Sequence, residues 1–178
     1  CGDTPSKPRS AWVDWPAPTL PYVVVAYRGP AYSEQKKDKA ALDFLVPIAF
    51  GENSDLYQKL VLKDQKVDML VPAFDDQIDP ELFSAIARVK DAKDVNYVRD
   101  EIIKTFDRFS KELVTPEKLE ETRAHIRYST ALSWTGPEAI AGFLVPYLGL
   151  SNSPNTVDRK WSMAKAWLYR KLSQDSEA

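Results

Sequence analysis

Few residues in this chain have side chains suited to chemistry, and their spacing narrows what that chemistry would be. The single histidine, His125, has Glu121 one helical turn before it, half of a metal site or of a proton relay. A zinc site needs three or four ligands, mostly His or Cys with some carboxylates, converging on one point. One histidine and one cysteine, Cys1 at the very start, do not make that set, so Glu121 and His125 read as a local contact on a helix flank. Ser-His-Asp catalysis would route through the same His125, and no G-x-S-x-G elbow accompanies it. Asp75, Asp76, Asp79 and Glu81 gather carboxylates suited to a hard cation such as calcium. They lack the ligand spacing and glycine of an EF-hand loop, and read as a solvated turn. Gly51 stands alone between Phe50 and Glu52, so there is no phosphate-cradling loop of Walker or Rossmann type.

Composition sets the frame for those residues. At 178 residues with 44% hydrophobic content, the chain is long enough for one domain with a real core. The formal net charge is −2 with acids and bases interspersed, which lacks the electrostatic footprint of a nucleic-acid binder. The longest dense apolar run, Leu20 to Tyr27, is strand-sized, so no membrane span is expected. Cys1 excludes an internal disulfide. Cys-Gly-Asp before a Ser/Pro/Lys-rich stretch is compatible with a processed lipoprotein start, although a plain chain boundary is the simpler reading. Five tryptophans and eight tyrosines are a high aromatic load. Trp12, Trp15, Trp134, Trp161 and Trp167 fall near segment ends or helix flanks, positions that complete a core or serve an interface.

The elements that would position any site follow from periodicity. Residues 1–9 read as a flexible leader, 10–173 as a single α+β domain and 174–178 as a tail. Ala11 to Trp15 alternates weakly before Pro16 and Pro18, and Pro21 to Tyr27 is a continuous β-branched and aromatic run expected as a central strand buried on both sides. From Asp38, apolar residues recur at helical spacing up to Gly51, a candidate C′ residue, with Pro47 expected to bend the helix. Ser54 is a candidate N-cap for a short helix with Leu56 and Leu60 on one face. Val67, Met69 and Val71 alternate with Asp68 and Leu70 as a strand whose Pro72 suggests an edge or a bulge. Leu82 to Val89 returns as its hairpin partner over the acidic loop. After Asp94, Val95, Val98, Ile102, Phe106, Phe109 and Leu113 form a helical stripe expected to pack on the strand at Val23 to Tyr27. Thr115-Pro116 starts a helix running to Trp134, Gly136-Pro137 opens another, and Thr156 to Leu172 is a further amphipathic helix with Val157, Trp161, Ala164 and Leu168 on one face. Strands, helices, a hairpin and a run of helices predict an α+β fold, a mostly antiparallel sheet of about four strands with helices layered on one face.

Four segments resemble one known family. They are Phe50 through Leu60 running on to Val71, Val13-Asp14-Trp15-Pro16 leading to Val25-Ala26-Tyr27-Arg28-Gly29-Pro30, Leu82 to Asp91, and Val114 to Leu119. Together these make residues 10–150 similar to the non-catalytic C-terminal lobe of bacterial pitrilysin/insulysin zinc metallopeptidases, whose other lobe carries the inverted H-x-x-E-H motif. The resemblance implies a clamshell in which this lobe encloses an extended peptide beside a catalytic N-terminal lobe or partner subunit. It implies no cofactor in this chain and zinc in the parent enzyme, with a periplasmic or cell-envelope location by analogy.

Active members of the family resemble L-R-x-K-x-x-L-x-Y-S-V in this lobe and contribute its Arg and Tyr to the substrate. Laid on Leu60 to Leu70 without gaps, those positions hold Val61 and Asp68, so the two substrate-facing positions are degenerate here, and a carboxylate cannot donate to a developing oxyanion. The glycine-rich loop of one processing-peptidase subunit is reduced to Gly51. The family's last strand of this lobe is not evident after Thr156, which implies that the sequence stops short of the lobe's end. The expected function is peptide enclosure in a zinc-dependent peptidase, with the chain alone inactive. The alternative is a scaffolding subunit that kept the fold and lost proteolysis.

Overall fold

The computed structural model describes residues 7–33, 35–74, 77–150 and 162. Three strands, β1 (Tyr22–Arg28), β2 (Val67–Ala73) and β3 (Leu82–Val89), form an antiparallel sheet in the order β1-β3-β2. Helix α1 (Asp38–Phe50) crosses from β1 toward β2, and the short α2 (Asp55–Tyr57) continues as a π-helix, Gln58–Lys63. After β3 come a 3-10 turn at Ala92–Asp94, α3 (Val95–Phe109), α4 (Pro116–Ser133) and α5 (Pro137–Leu150). The fold is α+β with helices against one sheet face. The fourth expected strand is absent among the described residues, since Ala11 to Trp15 has no ladder partner. Two nearby prolines remove donors there, and Trp12 Nε1 bonds locally to Asp14 Oδ1 at 2.7 Å.

Two strand expectations are corrected. Among the described residues β1 is an edge strand, paired on one side only by β3, and its faces differ, with Val23 buried and Val24 58% exposed, because the described helices cover one face of the sheet. A run of β-branched residues looks the same from sequence whether one or both faces are covered. In β2 the ladder shifts between Val67 and Met69, a bulge that leaves Asp68 as the extra residue. The bulge breaks the alternation: Val67 and Leu70 are buried, while Met69 and Val71 fall opposite Arg88 and Ile86. A strict period of two across Val67, Met69 and Val71 therefore fails at one inserted residue.

The core lies between the sheet and the helices. Val67, Ala85, Ala87 and Val89 meet Leu60, Val98 and Ile102, all essentially without exposure. The α3 stripe packs on β1 as its spacing predicts: the Phe106 ring lies 4.4 Å from Tyr27, 4.8 Å from Phe50 and 5.2 Å from Phe83. Leu113 departs from the stripe at 97% exposure because α3 ends at Phe109. The predicted caps form. Ser54 Oγ accepts the Tyr57 N–H at 3.1 Å, and Thr115 Oγ1 accepts that of Lys118 at 3.3 Å with Pro116 in the first turn. The expected helix at Thr156 to Leu172 lies outside the described residues.

The exit from the π-helix uses a left-handed residue. Gln65 has φ 53°, and around it Asp64 N–H reaches Lys59 O at 2.8 Å and Lys66 N–H reaches Leu60 O at 3.0 Å. These bonds satisfy the last carbonyls as a glycine C′ residue would. A side chain in this region costs about 1 kcal/mol relative to glycine. Gln65→Gly should therefore raise stability by up to about 1 kcal/mol in urea denaturation, and Gln65→Val should lower it.

Candidate functional site

The two positions singled out by resemblance lie in different surroundings. Val61 sits on the π-helix, half-buried and packed against the core cluster. This segment is pinned to the start of α3 by side chains of opposite charge. Lys59 pairs with Glu101, which also takes Lys104 at 2.7 Å; Lys66 pairs with Asp94; and the Tyr97 hydroxyl donates to Asp64 Oδ2 at 2.7 Å. Glu101 holds the Lys59 ammonium above its ordinary range, and the bond to Asp64, with burial, raises the Tyr97 phenol. The π-turn is thus fixed on its polar side as well as its apolar one, and Val61 has little freedom to reach outward.

Asp68 projects from the β2 bulge into a bidentate ion pair. Arg88 Nε and Nη2 donate to its two oxygens at 2.8 and 2.9 Å. Arg88 holds the Asp68 carboxyl below its ordinary 3.8. Since the folded-state value is depressed, the stabilisation is present above the unfolded value and is lost as pH falls through the folded one. In an NMR titration the Asp68 carboxyl carbon should show a midpoint below 3.8. Arg88→Gln should move that midpoint upward, and an unmoved midpoint would remove the assigned cause. Sequence reading missed Arg88. The pairing depends on the register of β2 against β3, which sets Met69 opposite Arg88 and leaves Asp68 one bulge away, and the residue pattern of the two strands does not disclose that shift.

Arg88 lies on the sheet face turned away from the helices, where Tyr22, Arg88 and Met69 align across the three strands and Val24, Ile86 and Val71 form the next row. Tyr22, Val24 and Val71 are exposed there. On the helix side, a groove of about 420 Å³ opens at the C-terminal end of β1, lined by Tyr27, Leu42, Leu45, Phe106 and Phe109 among others. Burial and the nearby Asp107 carboxylate push the Tyr27 phenol upward.

The remaining candidates do not assemble. His125 is exposed on α4, and the carboxylate of Glu121 accepts Lys118 Nζ at 2.9 Å. Among the described residues no three His, Cys, Asp or Glu side chains cluster as metal ligands. Asp75 and Asp76 of the acidic loop, like Cys1, Trp161 and Trp167, lie outside the described residues. Trp12 and Trp15 are exposed while Trp134 is buried, so the three described tryptophans divide between the surface and the interior. No helix among the described residues is long and apolar enough to cross a membrane.

Residues 3–126 match the family described as the Peptidase M16 inactive domain. A search of curated proteins finds no match. Among solved structures, a protease from Helicobacter pylori is similar at a TM-score of 0.67 and 21% identity, over 80% of this chain and 34% of that one. A "putative zinc protease" from Bordetella pertussis is similar at 0.59 and 23%, over 76% and 74%. A peptidase M16 inactive domain from Pseudomonas fluorescens is similar at 0.64 and 14%, over 80% and 34%. These likenesses are of fold, and the chain spans about a third of the length of the first and third proteins.

Proposed function

The chain belongs to the Peptidase M16 inactive-domain family, and from that premise we propose that it is the non-catalytic lobe of a zinc-dependent peptidase, closing over an extended peptide while another lobe or subunit performs the hydrolysis. The family match across residues 3–126 carries this reading. The name of the Bordetella pertussis relative supports zinc in the parent protein. The residues of this chain do not fit that metal. Its one histidine is exposed, the neighbouring Glu121 is engaged by Lys118, and the donor set for a tetrahedral site is missing. The zinc ligands and the general base belong to the partner lobe, and this lobe contributes enclosure and lobe packing.

In this reading Val61 and Asp68 are the substrate-facing positions, and neither offers a donor to a bound peptide. Val61 leans on the core and Asp68 is neutralised by Arg88. That observation also favours a second reading, a scaffold that retains the fold without proteolysis. Metal analysis and a peptidase assay on the same desalted sample test the first reading's division of labour. The chain alone should carry no stoichiometric zinc and hydrolyse no peptide, yet bind the catalytic lobe in size-exclusion chromatography. Zinc retained together with hydrolysis by the chain alone would contradict it.

A further inference from the structure

The groove between α1, α3 and the end of β1 combines π faces, aliphatic surface and one negative charge. Its floor is the buried Phe50 and Phe83, and the partly exposed Tyr27, Phe106 and Phe109 stand around it. Phe106 meets Tyr27, Phe50 and Phe83 at 43°, 45° and 67°, so its ring stacks flat on none of them. Leu42 and Leu45, one turn apart on α1, supply an aliphatic side. The acid of the groove is Asp107, exposed on α3. Among the described residues no Lys or Arg side chain pairs with its carboxylate. The adjacent Arg108 turns to Asp55 at 3.0 Å, and Arg28 at the groove's mouth projects from the opposite face of β1, in the row of Leu82. The Ser110 hydroxyl is spent on the Asp107 carbonyl at 2.8 Å. Burial, and then the Asp107 carboxylate, raise the Tyr27 phenol, so the negative field of Asp107 reaches into the groove.

We propose that this groove is a pocket for an arginine side chain presented by a polypeptide segment. Aromatic faces beside a carboxylate without a cation partner select a positive group, and the leucines and the phenylalanine floor select an apolar stem behind it. At about 420 Å³ the groove has the size of a small-ligand site and holds that stem and head together. Guanidinium fits better than ammonium, because it is planar and weakly hydrated, lies flat on a ring and forks onto a carboxylate. The protein makes the same combination with its own Arg108, whose guanidinium lies 4.7 Å from the centroid of Phe109 while it pairs with Asp55. The ligand is an arginine within a polypeptide, since free arginine would bring its own carboxylate into the field of Asp107, where a peptide presents neutral amides. The pocket lies on the helix side of the sheet and does not depend on which lobe or subunit performs hydrolysis.

The test titrates the 178-residue chain, isotopically labelled for NMR, with the capped peptide acetyl-Gly-Gly-Arg-Gly-Gly-amide. Three comparison ligands are the same peptide with citrulline in place of arginine, the same with lysine, and free arginine. The arginine peptide should shift the ring signals of Tyr27, Phe106 and Phe109 and the methyl signals of Leu42 and Leu45, and saturate. Citrulline has the same shape without the charge and should bind roughly tenfold more weakly, with lysine between the two and free arginine weaker than the capped arginine peptide. Asp107→Asn should bring the arginine peptide down to the affinity of the citrulline peptide and leave the citrulline peptide unchanged. Asp107 is exposed, so the variant should keep its fold, and unmoved signals of Val67, Ala85 and Ala87 verify that. Equal binding of the arginine and citrulline peptides, or an affinity for arginine that survives Asp107→Asn, would overturn recognition of a cation in this groove. Lysine binding as tightly as arginine would overturn the guanidinium, and free arginine binding as tightly as the capped peptide would overturn the polypeptide as its source. Shifts confined to other surfaces, or no binding of any ligand, would overturn the pocket.

Discussion

Phe106→Ala is expected to lower the unfolding free energy by about 3 kcal/mol, the lower end of the range for phenylalanine truncation in a core. Phe106 is half-buried, yet it is the one ring in contact with Tyr27 of β1, Phe50 of α1 and Phe83 of β3. Its removal opens a space where α3 meets α1 and two strands of the sheet, and none of these three rings can fill it without leaving a partner. Such aromatic contacts add about 1 kcal/mol beyond area burial. Guanidinium denaturation at constant m-value measures the loss. Phe106→Leu should recover a large part of it by refilling the volume. A loss below about 1 kcal/mol would mean that α3 is not held to the sheet by this cluster.

Gly51→Ala should be the next most damaging single change, at about 2–3 kcal/mol. Gly51 ends α1, its N–H bonded to Pro47 O at 3.0 Å, with an ordinary extended backbone at φ −70° and ψ 170°. The requirement for glycine is one of space. A Cβ here would sit 2.5 Å from the Pro47 carbonyl oxygen and 3.2 Å from its Cα, and these are backbone atoms that cannot swing aside. Relief needs a shift of the last turn of α1, which carries the buried Ala49 and Phe50 into the core. Thermal unfolding of the variant tests this, and a change within about 0.5 kcal/mol, as for an ordinary surface substitution, would show that the turn relaxes freely.

Gly51 also shows what sequence can and cannot disclose. Its place at the end of α1, as a candidate C′ residue, was legible from the helical spacing before it, but the close approach to Pro47 that requires glycine there was not. The helix caps at Ser54 and Thr115 were legible because cap chemistry is local: the hydroxyl and the amide it satisfies lie three residues apart. The α3 stripe was legible for the same reason up to Phe109, where the helix ends and the pattern carries on to the exposed Leu113. Features set by partners distant in the chain were not. That β1 is an edge strand among the described residues depends on which distant segments pair beside it, and the bulge at Asp68 depends on the register shift between Val67 and Met69 against β3. That single inserted residue sends Met69 and Val71 away from the core and brings Asp68 to Arg88, so one missed feature accounts for both the broken alternation of β2 and the pairing of Asp68. The Lys59, Glu101, Tyr97 and Asp64 network joins segments about forty residues apart, and no spacing rule reaches that far.

The proposed division of labour between this lobe and a zinc-bearing one is tested most directly by a complementation assay. The measurement is the rate at which the isolated catalytic lobe or subunit proposed to carry H-x-x-E-H hydrolyses a fluorogenic peptide, with and without this chain added in stoichiometric amount. Enclosure by this lobe predicts a rate that rises on addition, saturates at one equivalent and falls to nothing when the zinc lobe is omitted. A rate that stays the same with and without the chain, although the two proteins bind each other, would contradict enclosure and leave this lobe as a scaffold.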